Sequence, residues 1–498
     1  MNCTQIRRLC ALVIVAIAVP VAGWTQQFLP TPLPMYSRPA AAPGSHPFLA
    51  ASHDFPPLDL STSGYVEEEF MVGGTANVYD WGADGTVSVK TPNAPYASRI
   101  LVRRPADQRR FSGAVVVELL FPARRWDWSM MWGYTHDQIL ERGDAWVGIT
   151  LPNSVAGLKR FDPARYASLS FKNPTPAAPC AGAPNNTAPE TEDGLKWDLI
   201  SQVGALLKSS NIGSPFAGFN VRALYLTTQG GDLVTYMNAI RGRLANGAPV
   251  YDGYVLKAPF TASRINPCSP APSAGDPRQK IGRVGVPVIA VAAEGEVLST
   301  YASRRPDSDE PGDRYRLYEV AGAGHIDRAA YYGFPLMGDQ AAAGNAIGTA
   351  VWPFAAKCEP DIPLMDTPIM SVAFDTAFAV LDDWVRSAKP APRAPRIQLN
   401  DAGTPEAAIV ADRFGHGVGG MRTPYIDVPS ATHVTNSSGP GNCREMAHKT
   451  PFDAARLTSV YGNTTSYRDK LAASVDRLAK ERWLTAGDAR RVKTELNR

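Results

Sequence analysis

Short apolar runs alternate with amphipathic stretches over much of the chain. The runs at residues 113–120 and 145–150 are apolar at nearly every position, as expected of parallel strands that are buried on both faces. Between 195 and 206, apolar residues instead recur at the spacing of a helix that covers a sheet with one side. This alternation predicts β-α-β units and an α/β fold with a mostly parallel central sheet flanked by helices.

The same pattern predicts the other regular elements. Two early strands with one polar face are predicted at 65–72 and 98–103. Further strands are predicted at 252–256, 286–292 and 314–320, and helices at 233–240, 374–385 and 471–478. Thr485 and Asp488 resemble a capping box and predict the start of one more helix. The long polar loops at 153–192, 262–280 and 328–366 are expected to supply lid segments.

The N-terminus indicates export. Arg7 and Arg8 precede an almost continuously apolar segment, residues 9–22, which has the pattern of a secretory signal and is too short for a comfortable membrane span. Small residues at 21–23 predict cleavage near Gly23, so residues 1–23 are assigned to a signal peptide. No later stretch is apolar enough to cross a bilayer. We therefore expect a secreted or periplasmic protein.

Composition suggests how the mature chain is organised. Residues 24–60 form a proline-rich lead-in. Residues 61–498 are predicted to be one elaborated domain, with a core at about 61–387 and a C-terminal extension at about 388–498 that packs on the core. The 43 prolines and 42 glycines predict many long loops around that core.

Four cysteines follow the signal peptide: Cys180, Cys268, Cys358 and Cys443. An even number in an exported chain suits two disulfides, and three pairings are open. Their spacing differs from a metal-binding Cys-x-x-Cys clip, and no motif implies a metal or an organic cofactor. A net charge of +3, without a dense run of lysine and arginine, argues against a nucleic-acid partner.

The segment from Arg222 to Gly231 predicts a buried strand that runs into a tight turn and then a helix. This is the shape of a nucleophile elbow, which lifts a hydroxyl above an α/β sheet so that it can attack an ester. In the G-x-S-x-G pattern, Leu226 takes the place of the first glycine, Thr228 that of the serine and Gly230 that of the second glycine. The alternative is an ordinary threonine at the end of a strand.

A second candidate group lies in the small-residue loop at 320–327, which presents His325 directly after a predicted strand. A histidine in this context, downstream of the elbow, has the right order for a general base. The acid that orients it should follow the strand at 286–292, where Glu296 and Glu294 are the candidates. Glu296 is favoured, because it lies where the acid loop usually places its carboxylate. The alternatives are a histidine that only caps local backbone and glutamates that are surface charges.

An oxyanion hole would complete such a site. Gln229 follows the candidate nucleophile and supplies one backbone N–H. A second donor is expected in the loop after the strand at 113–120, hence at Phe121, because Pro122 has no N–H.

Several segments resemble a bacterial family described as alpha/beta hydrolase domain-containing proteins. In chain order the similar pieces are 111–118, 143–148, 158–166, 233–238, 321–327 and 420–429, which together span nearly the whole mature chain. The resemblance implies an α/β-hydrolase fold, esterase-like activity, a base at His325 and an acid at Glu296. Family members typically carry Gly-x-Ser-Gln at the elbow. This chain has Leu226-Thr-Thr-Gln229 there, so the first glycine and the serine are both replaced.

Two functional hypotheses follow. In the first, the protein hydrolyses small-molecule carboxylic esters: Thr228 attacks, His325 carries the proton and Glu296 holds His325, and water then releases the acyl group. In the second, the loss of the serine leaves a catalytically impaired relative that binds a small molecule or a partner in the same pocket. The sequence leaves the acyl and alcohol groups and the oligomeric state open.

Overall fold

The computed structural model describes residues 31–39, 42–122, 125–181, 183–243, 249–273, 275–344, 358, 365–440 and 443–496. The predicted signal peptide at 1–23 and part of the predicted loop at 328–366 lie outside the described residues. Within these residues, no helix is long and apolar enough to cross a membrane.

Sixteen strands and eleven α-helices are found in the described part of the chain. The strands are β1 (Met35–Ser37), β2 (Asp54–Phe55), β3 (Tyr65–Trp81), β4 (Val87–Pro105), β5 (Ala114–Leu119), β6 (Ala145–Ile149), β7 (Ala223–Gln229), β8 (Gly253–Lys257), β9 (Val288–Ala293), β10 (Ser308–Glu310), β11 (Asp313–Val320), β12 (Phe334–Pro335), β13 (Leu399–Asn400), β14 (Ala408–Ile409), β15 (Ala431–Val434) and β16 (His448–Pro451). The α-helices are α1 (Met130–Arg142), α2 (Val155–Phe161), α3 (Lys196–Leu207), α4 (Asp232–Thr235), α5 (Val297–Thr300), α6 (Met337–Ala342), α7 (Ile369–Ser387), α8 (Pro424–Asp427), α9 (Ala454–Tyr461), α10 (Thr464–Lys480) and α11 (Ala486–Leu496).

Tighter and wider helical turns connect these elements. A π-helical turn, Tyr236–Ile240, continues α4. The 3₁₀ turns are Ala51–His53, Leu60–Ser63, Gln108–Arg110, Pro152–Ser154, Pro184–Asn186, Asp193–Leu195, Pro277–Gln279, Glu294–Glu296, Tyr301–Ser303, Arg328–Gly333 and Cys443–Glu445.

Ten of the described strands form one sheet, in the order β1-β3-β4-β6-β5-β7-β8-β9-β11-β10. Its centre, from β6 to β11, is parallel at every pairing. The outer strands pair antiparallel on both sides. Central strands such as β5, β6 and β9 are buried at every residue, so both faces of the sheet must be covered. The mostly parallel sheet predicted from the apolar runs is confirmed.

Helices cover the two faces of this sheet. On one face, Trp132 of α1 and Phe374 of α7 belong to a single buried cluster with residues of the central strands. On the other face, Val203 of α3 and Leu233 of α4 belong to a second cluster. The helices predicted at 195–206 and 374–385 are therefore found as α3 and α7, with α7 extending further at its N-terminal end.

The C-terminal helices pack on the sheet domain through α7. Leu471 and Val475 of α10 form a small apolar cluster that includes Val372 of α7. At the start of α11, the Asp488 N–H donates to the Thr485 hydroxyl oxygen at 3.1 Å, which confirms the predicted cap.

The four cysteines that the structure describes form two disulfides, Cys180–Cys268 and Cys358–Cys443. The sequence left three pairings open, and the structure selects one of them. The first bond joins the loop between α2 and α3 to the loop after β8. Two disulfides in one chain are compatible with an extracellular or periplasmic protein.

Candidate active site

Four neighbouring strands end at one edge of the sheet. Because β7, β8, β9 and β11 run parallel, their carboxyl ends meet at this edge, where ligand sites of such sheets lie. Gln229 and Lys257 are the last residues of β7 and β8, and Glu296 and His325 lie in the turns that follow β9 and β11. The fold thus brings together residues that are as many as 96 positions apart in the chain.

Glu296 and His325 are in direct contact. Nδ1 of His325 donates to Oε1 of Glu296, and the N–H of Ala293 donates to the other carboxylate oxygen at 2.6 Å. The 3₁₀ turn after β9 therefore fixes the carboxylate, and the carboxylate fixes the orientation of the imidazole. This is the relation between acid and base that the sequence predicts for these two residues.

Glu294, the alternative acid, lies elsewhere. Its Oε2 accepts hydrogen bonds from the N–H groups of Gly322, at 2.7 Å, and Gly417, at 2.8 Å. Burial raises the pKa of Glu294 above its ordinary value. Glu294 therefore ties the histidine loop to the C-terminal extension and does not contact the imidazole.

A buried lysine lies beside the Glu296–His325 pair. Nζ of Lys257 donates to Oε1 of Glu296 at 3.0 Å and lies 3.1 Å from Nδ1 of His325. The lysine side chain has no exposed surface, at 0%. Burial acts to raise the pKa of Glu296, but the charge of Lys257 and the hydrogen bond from His325 outweigh it and lower that pKa. Glu296 is therefore an ionised carboxylate, and two side chains, those of His325 and Lys257, donate to the same one of its oxygens.

The other ring nitrogen of His325 faces Gln229. The side-chain Nε2 of Gln229 lies 3.0 Å from Nε2 of His325. Since Nδ1 carries the proton that is donated to Glu296, Nε2 is the acceptor and the glutamine amide donates to it. This is the tautomer that a general base needs. The lone pair of its Nε2 is occupied by the hydrogen bond from the Gln229 amide. The histidine side chain retains 18% exposure, so a ligand can approach it.

Thr228 makes a different contact. Its hydroxyl donates to the carbonyl oxygen of Leu119 at 3.0 Å, and the residue is only 3% exposed. Thr228 lies inside β7, in register with Leu256 of β8. Because consecutive strand residues point to opposite faces, Gln229 rather than Thr228 meets His325 here.

The turn after β7 has its unusual backbone at Gly230, where φ is +92°. An elbow places its nucleophile on the strained residue of the turn, but here that residue has no side chain. Apart from Gly230 and its two neighbours in the chain, no described residue has an atom within 4 Å of the point where a Cβ would sit at Gly230. Gly231 is needed for a different reason, because a Cβ there would lie 1.6 Å from the carbonyl oxygen of Thr261.

The second predicted oxyanion donor, Phe121, already has a partner. Its N–H donates to the carbonyl oxygen of Trp128 at 2.9 Å, and its own carbonyl accepts from the Trp128 N–H at 3.1 Å. A substrate oxygen would have to compete with Trp128 for this donor. Gln229, the first predicted donor, forms the last residue of β7 beside the turn.

Sequence reasoning missed Lys257 and the side chain of Gln229. A signal for Lys257 exists: it is a charged residue at the end of the apolar run 253–256, in a strand buried at every position. A charge at that end of a central parallel strand faces the ligand edge of the sheet. The sequence gives no comparable signal for the side-chain amide of Gln229, because its contact with His325 depends on the residue at which β7 ends and the turn begins.

The family model described as "Alpha/beta hydrolase domain" matches residues 29–494. The chain belongs to this family. The match spans almost the whole sequence and confirms the α/β-hydrolase fold that the resemblance implied. No curated protein matches the chain significantly.

Solved structures similar to this α/β hydrolase include esterases and peptidases. A glucuronoyl esterase from Solibacter usitatus is 10% identical over 58% of this chain and 81% of its own, with a TM-score of 0.29. The esterase Est22 is 11% identical over 57% of this chain and 81% of its own, with a TM-score of 0.30. A prolyl endopeptidase is 10% identical over 53% of this chain, with a TM-score of 0.25, and the hydrolase spans only 35% of that longer protein. Likenesses this distant carry no argument about the substrate.

Proposed function

We propose that this α/β hydrolase is an exported enzyme that cleaves small-molecule carboxylic esters, with Glu296 and His325 as its acid–base pair. The proposal rests on one observation: Nδ1 of His325 is bound to a buried carboxylate at the carboxyl edge of the sheet. A carboxylate in that position holds the imidazole in the tautomer whose Nε2 accepts a proton from a nucleophile, and stabilises the imidazolium that results.

The nucleophile in this proposal is Thr228. Its Oγ1 would attack the ester carbonyl as its proton passes to Nε2 of His325, and the leaving alcohol would take that proton from the ring. Water would then cleave the acyl-threonine by the same route. The backbone N–H of Gln229 would stabilise the oxyanion, with Phe121 as second donor.

This reaction requires the end of β7 to rearrange, because Thr228 and Gln229 point to opposite faces of that strand. The hydroxyl of Thr228 must leave the carbonyl of Leu119, and the amide of Gln229 must leave Nε2 of His325. Catalytic hydrogen bonds often form fully only when substrate is bound, so we expect this rearrangement to accompany ester binding.

A second candidate function is favoured by a specific observation. Gln229 covers the basic nitrogen of His325, and the strained residue of the turn is a glycine. A protein that has lost its nucleophile but kept the pocket would look like this. Such a protein would bind a small molecule or a partner at the same edge of the sheet without turning it over.

Hydrolysis of short para-nitrophenyl esters tests the proposal. We expect turnover by the wild-type protein, and a loss of about 10²–10⁴-fold in kcat for both Thr228→Ala and His325→Ala. Thr227→Ala is the matched control, since Thr227 is a buried threonine of the same strand whose hydroxyl has no hydrogen-bond partner among the described residues.

The outcomes separate the two candidates. No turnover by the wild type, with turnover gained in Thr228→Ser or Gly230→Ser, would establish the impaired relative. Turnover that survives His325→Ala undiminished would refute the acid–base pair itself.

A further inference from the structure

We propose that His46, His53 and Asp339 form a binding site for a divalent transition-metal ion with the ligand preferences of Zn²⁺. The site is separate from the Glu296–His325 pair and does not depend on the proposed esterase activity. Its three residues come from the proline-rich lead-in and from α6.

A short antiparallel pairing brings the two segments together. Asp54 of β2 lies opposite Pro335 of β12, and the N–H of Leu336 donates to the carbonyl oxygen of His53 at 2.8 Å. Helix α6 begins directly after this pairing and carries Asp339 in its first turn. The pairing therefore places His53 next to a carboxylate nearly three hundred residues further along the chain.

His46 is brought to the same place by its own neighbours. The edge of its ring packs against Phe161, with 5.2 Å between ring centroids, and the hydroxyl of the preceding Ser45 donates to Asp162 at 2.6 Å. Both partners lie at the C-terminal end of α2. Local structure thus holds each imidazole near Asp339 through different neighbours.

The ligand atoms have the spacing of a metal site. Nε2 of His46 lies 3.1 Å and Nδ1 of His53 lies 3.3 Å from the same oxygen, Oδ2 of Asp339. All three ligand atoms lie within 4.8 Å of one another. In a tetrahedral zinc site with bonds of about 2.0–2.2 Å, the ligand atoms are about 3.3–3.6 Å apart, close to the two distances from Asp339 found here.

Charge gives an independent reason to expect a cation. Asp339 is buried, with its side chain 10% exposed, and in the described part of the chain no lysine or arginine forms an ion pair with it. A buried carboxylate without a lysine or arginine partner is stabilised by a cation placed against it. A divalent ion would supply that charge. The two imidazoles, 28% and 35% exposed, form the rim, which leaves a fourth position for water.

Binding would change the arrangement of the rings. The two imidazoles are stacked, with centroids 3.6 Å apart and planes at 26° to each other. A nitrogen lone pair lies in the plane of its ring, so the rings must turn for both lone pairs to point at one ion. Two imidazoles and a carboxylate suit Zn²⁺ and neighbouring ions better than Mg²⁺ or Ca²⁺, which prefer oxygen ligands.

The test is a titration of Zn²⁺ into the mature chain, produced without a histidine tag and stripped with a chelator. Isothermal titration calorimetry should show one tight site per chain, and Zn²⁺ should raise Tm. His53→Gln and Asp339→Asn should weaken binding at least tenfold. His136→Gln is the matched control, since His136 is a part-buried histidine beside an acid, Asp137, elsewhere in the fold.

A second readout keeps the result clear if a variant is destabilised. Co²⁺ bound to the wild-type protein should show the visible absorption of a tetrahedral site, and His53→Gln should abolish it. The proposal is overturned if the wild type shows no stoichiometric binding. It is also overturned if binding survives in both His53→Gln and Asp339→Asn, which would indicate surface binding only. Neither outcome bears on ester hydrolysis, so this proposal and the proposed function fail separately.

Discussion

The negative charge of Glu296 is divided between two partners, His325 and Lys257. Both contact the same carboxylate oxygen, and Lys257 also lies 3.1 Å from Nδ1 of the imidazole. The charge of Lys257 lowers the pKa of Glu296 and so keeps the carboxylate ionised beside the ring. Lys257 is thus a positioning residue, because it sets how strongly Glu296 can act on His325 and does not itself reach a substrate.

Replacing this lysine should change the pH dependence of catalysis. In Lys257→Met, the pKa of Glu296 should rise because the charge that lowers it is gone, so the carboxylate is protonated sooner as the pH falls. The acid limb of the kcat/KM profile should therefore move to higher pH. Lys208→Met, which removes a partly exposed lysine paired with Asp252, is the control and should leave the profile in place. The assignment is wrong if Lys257→Met lowers activity equally at every pH.

The two glycines of the turn should differ in the cost of an added methyl group. Gly230→Ala places a side chain in open space but at φ +92°, which costs about 1–2 kcal/mol. Gly231→Ala places a Cβ 1.6 Å from a backbone oxygen, so main chain must move and the loss should be larger. Urea unfolding measures both losses. Equal or reversed losses would contradict the backbone geometry of the turn.

The parallel strands position the candidate site, and the apolar runs of the sequence predict these strands in their chain order. The apolar runs that predict β5, β6, β9 and β11 are found within two residues of their predicted ends. The loops after β9 and β11 then carry the predicted acid and base to one another. This much follows from sequence, because parallel strands must end at a common edge.

Other elements leave no usable pattern. Helix α1 has nine of its thirteen residues buried, including polar Thr135 and Gln138, so it lacks the apolar stripe that marks a surface helix. The sequence also does not show at which residue the elbow turns. A one- or two-residue shift in where β7 ends decides whether residue 228, 229 or 230 faces the base, and strand propensity does not resolve such a shift.

The Cys180–Cys268 disulfide, which joins two loops, can be tested for its pairing and for its contribution to stability. Peptide mapping without reduction should find Cys180 joined to Cys268. Each bond closes a loop of 85–88 residues, so the double variant Cys180→Ser/Cys268→Ser should lose about 4–5 kcal/mol of unfolding free energy in the chain-entropy model. A map that joins Cys180 to Cys358 or Cys443 would contradict the fold.

The molecule as a whole buries many ionisable groups, and their shifted pKa values make its unfolding free energy depend on pH. Burial raises the pKa of Glu118, Glu192 and Asp327 to about 7 each. Burial also lowers the pKa of His416 to about 4 and of His433 to about 3. The raised carboxyls bind more protons in the folded state up to about pH 7. The histidines bind more protons in the unfolded state, below about pH 6.5.

These shifts predict a fall in stability between pH 6.5 and 8. Raised carboxyl pKa values favour folding at low pH, and this contribution is lost as pH rises through 7. The buried histidines act in the opposite direction, but only below about pH 6.5. These three carboxyls should therefore decrease the unfolding free energy by about 2 kcal/mol between pH 6.5 and 8, and Asp54, whose pKa burial raises to about 8, adds to the decrease.

Asp327→Asn provides the check on that prediction. Asparagine imitates the protonated acid and can still accept the hydrogen bond from the Ala329 N–H. When urea unfolding is measured at the two pH values, the decrease should be about 0.8 kcal/mol smaller in the variant than in the wild type. A flat or rising stability between pH 6.5 and 8 in the wild type would show that these carboxyls are ionised in the folded protein.

Covalent labelling with a fluorophosphonate decides whether the acid–base pair serves a hydroxyl nucleophile. If Thr228 attacks with His325 as its base, mass spectrometry of the digested protein should find the phosphonyl group on the peptide that contains Thr228. The adduct should persist in Thr227→Ala and be absent in His325→Ala. A wild-type protein that hydrolyses esters yet carries no adduct, or carries it on another residue, would contradict the proposed mechanism.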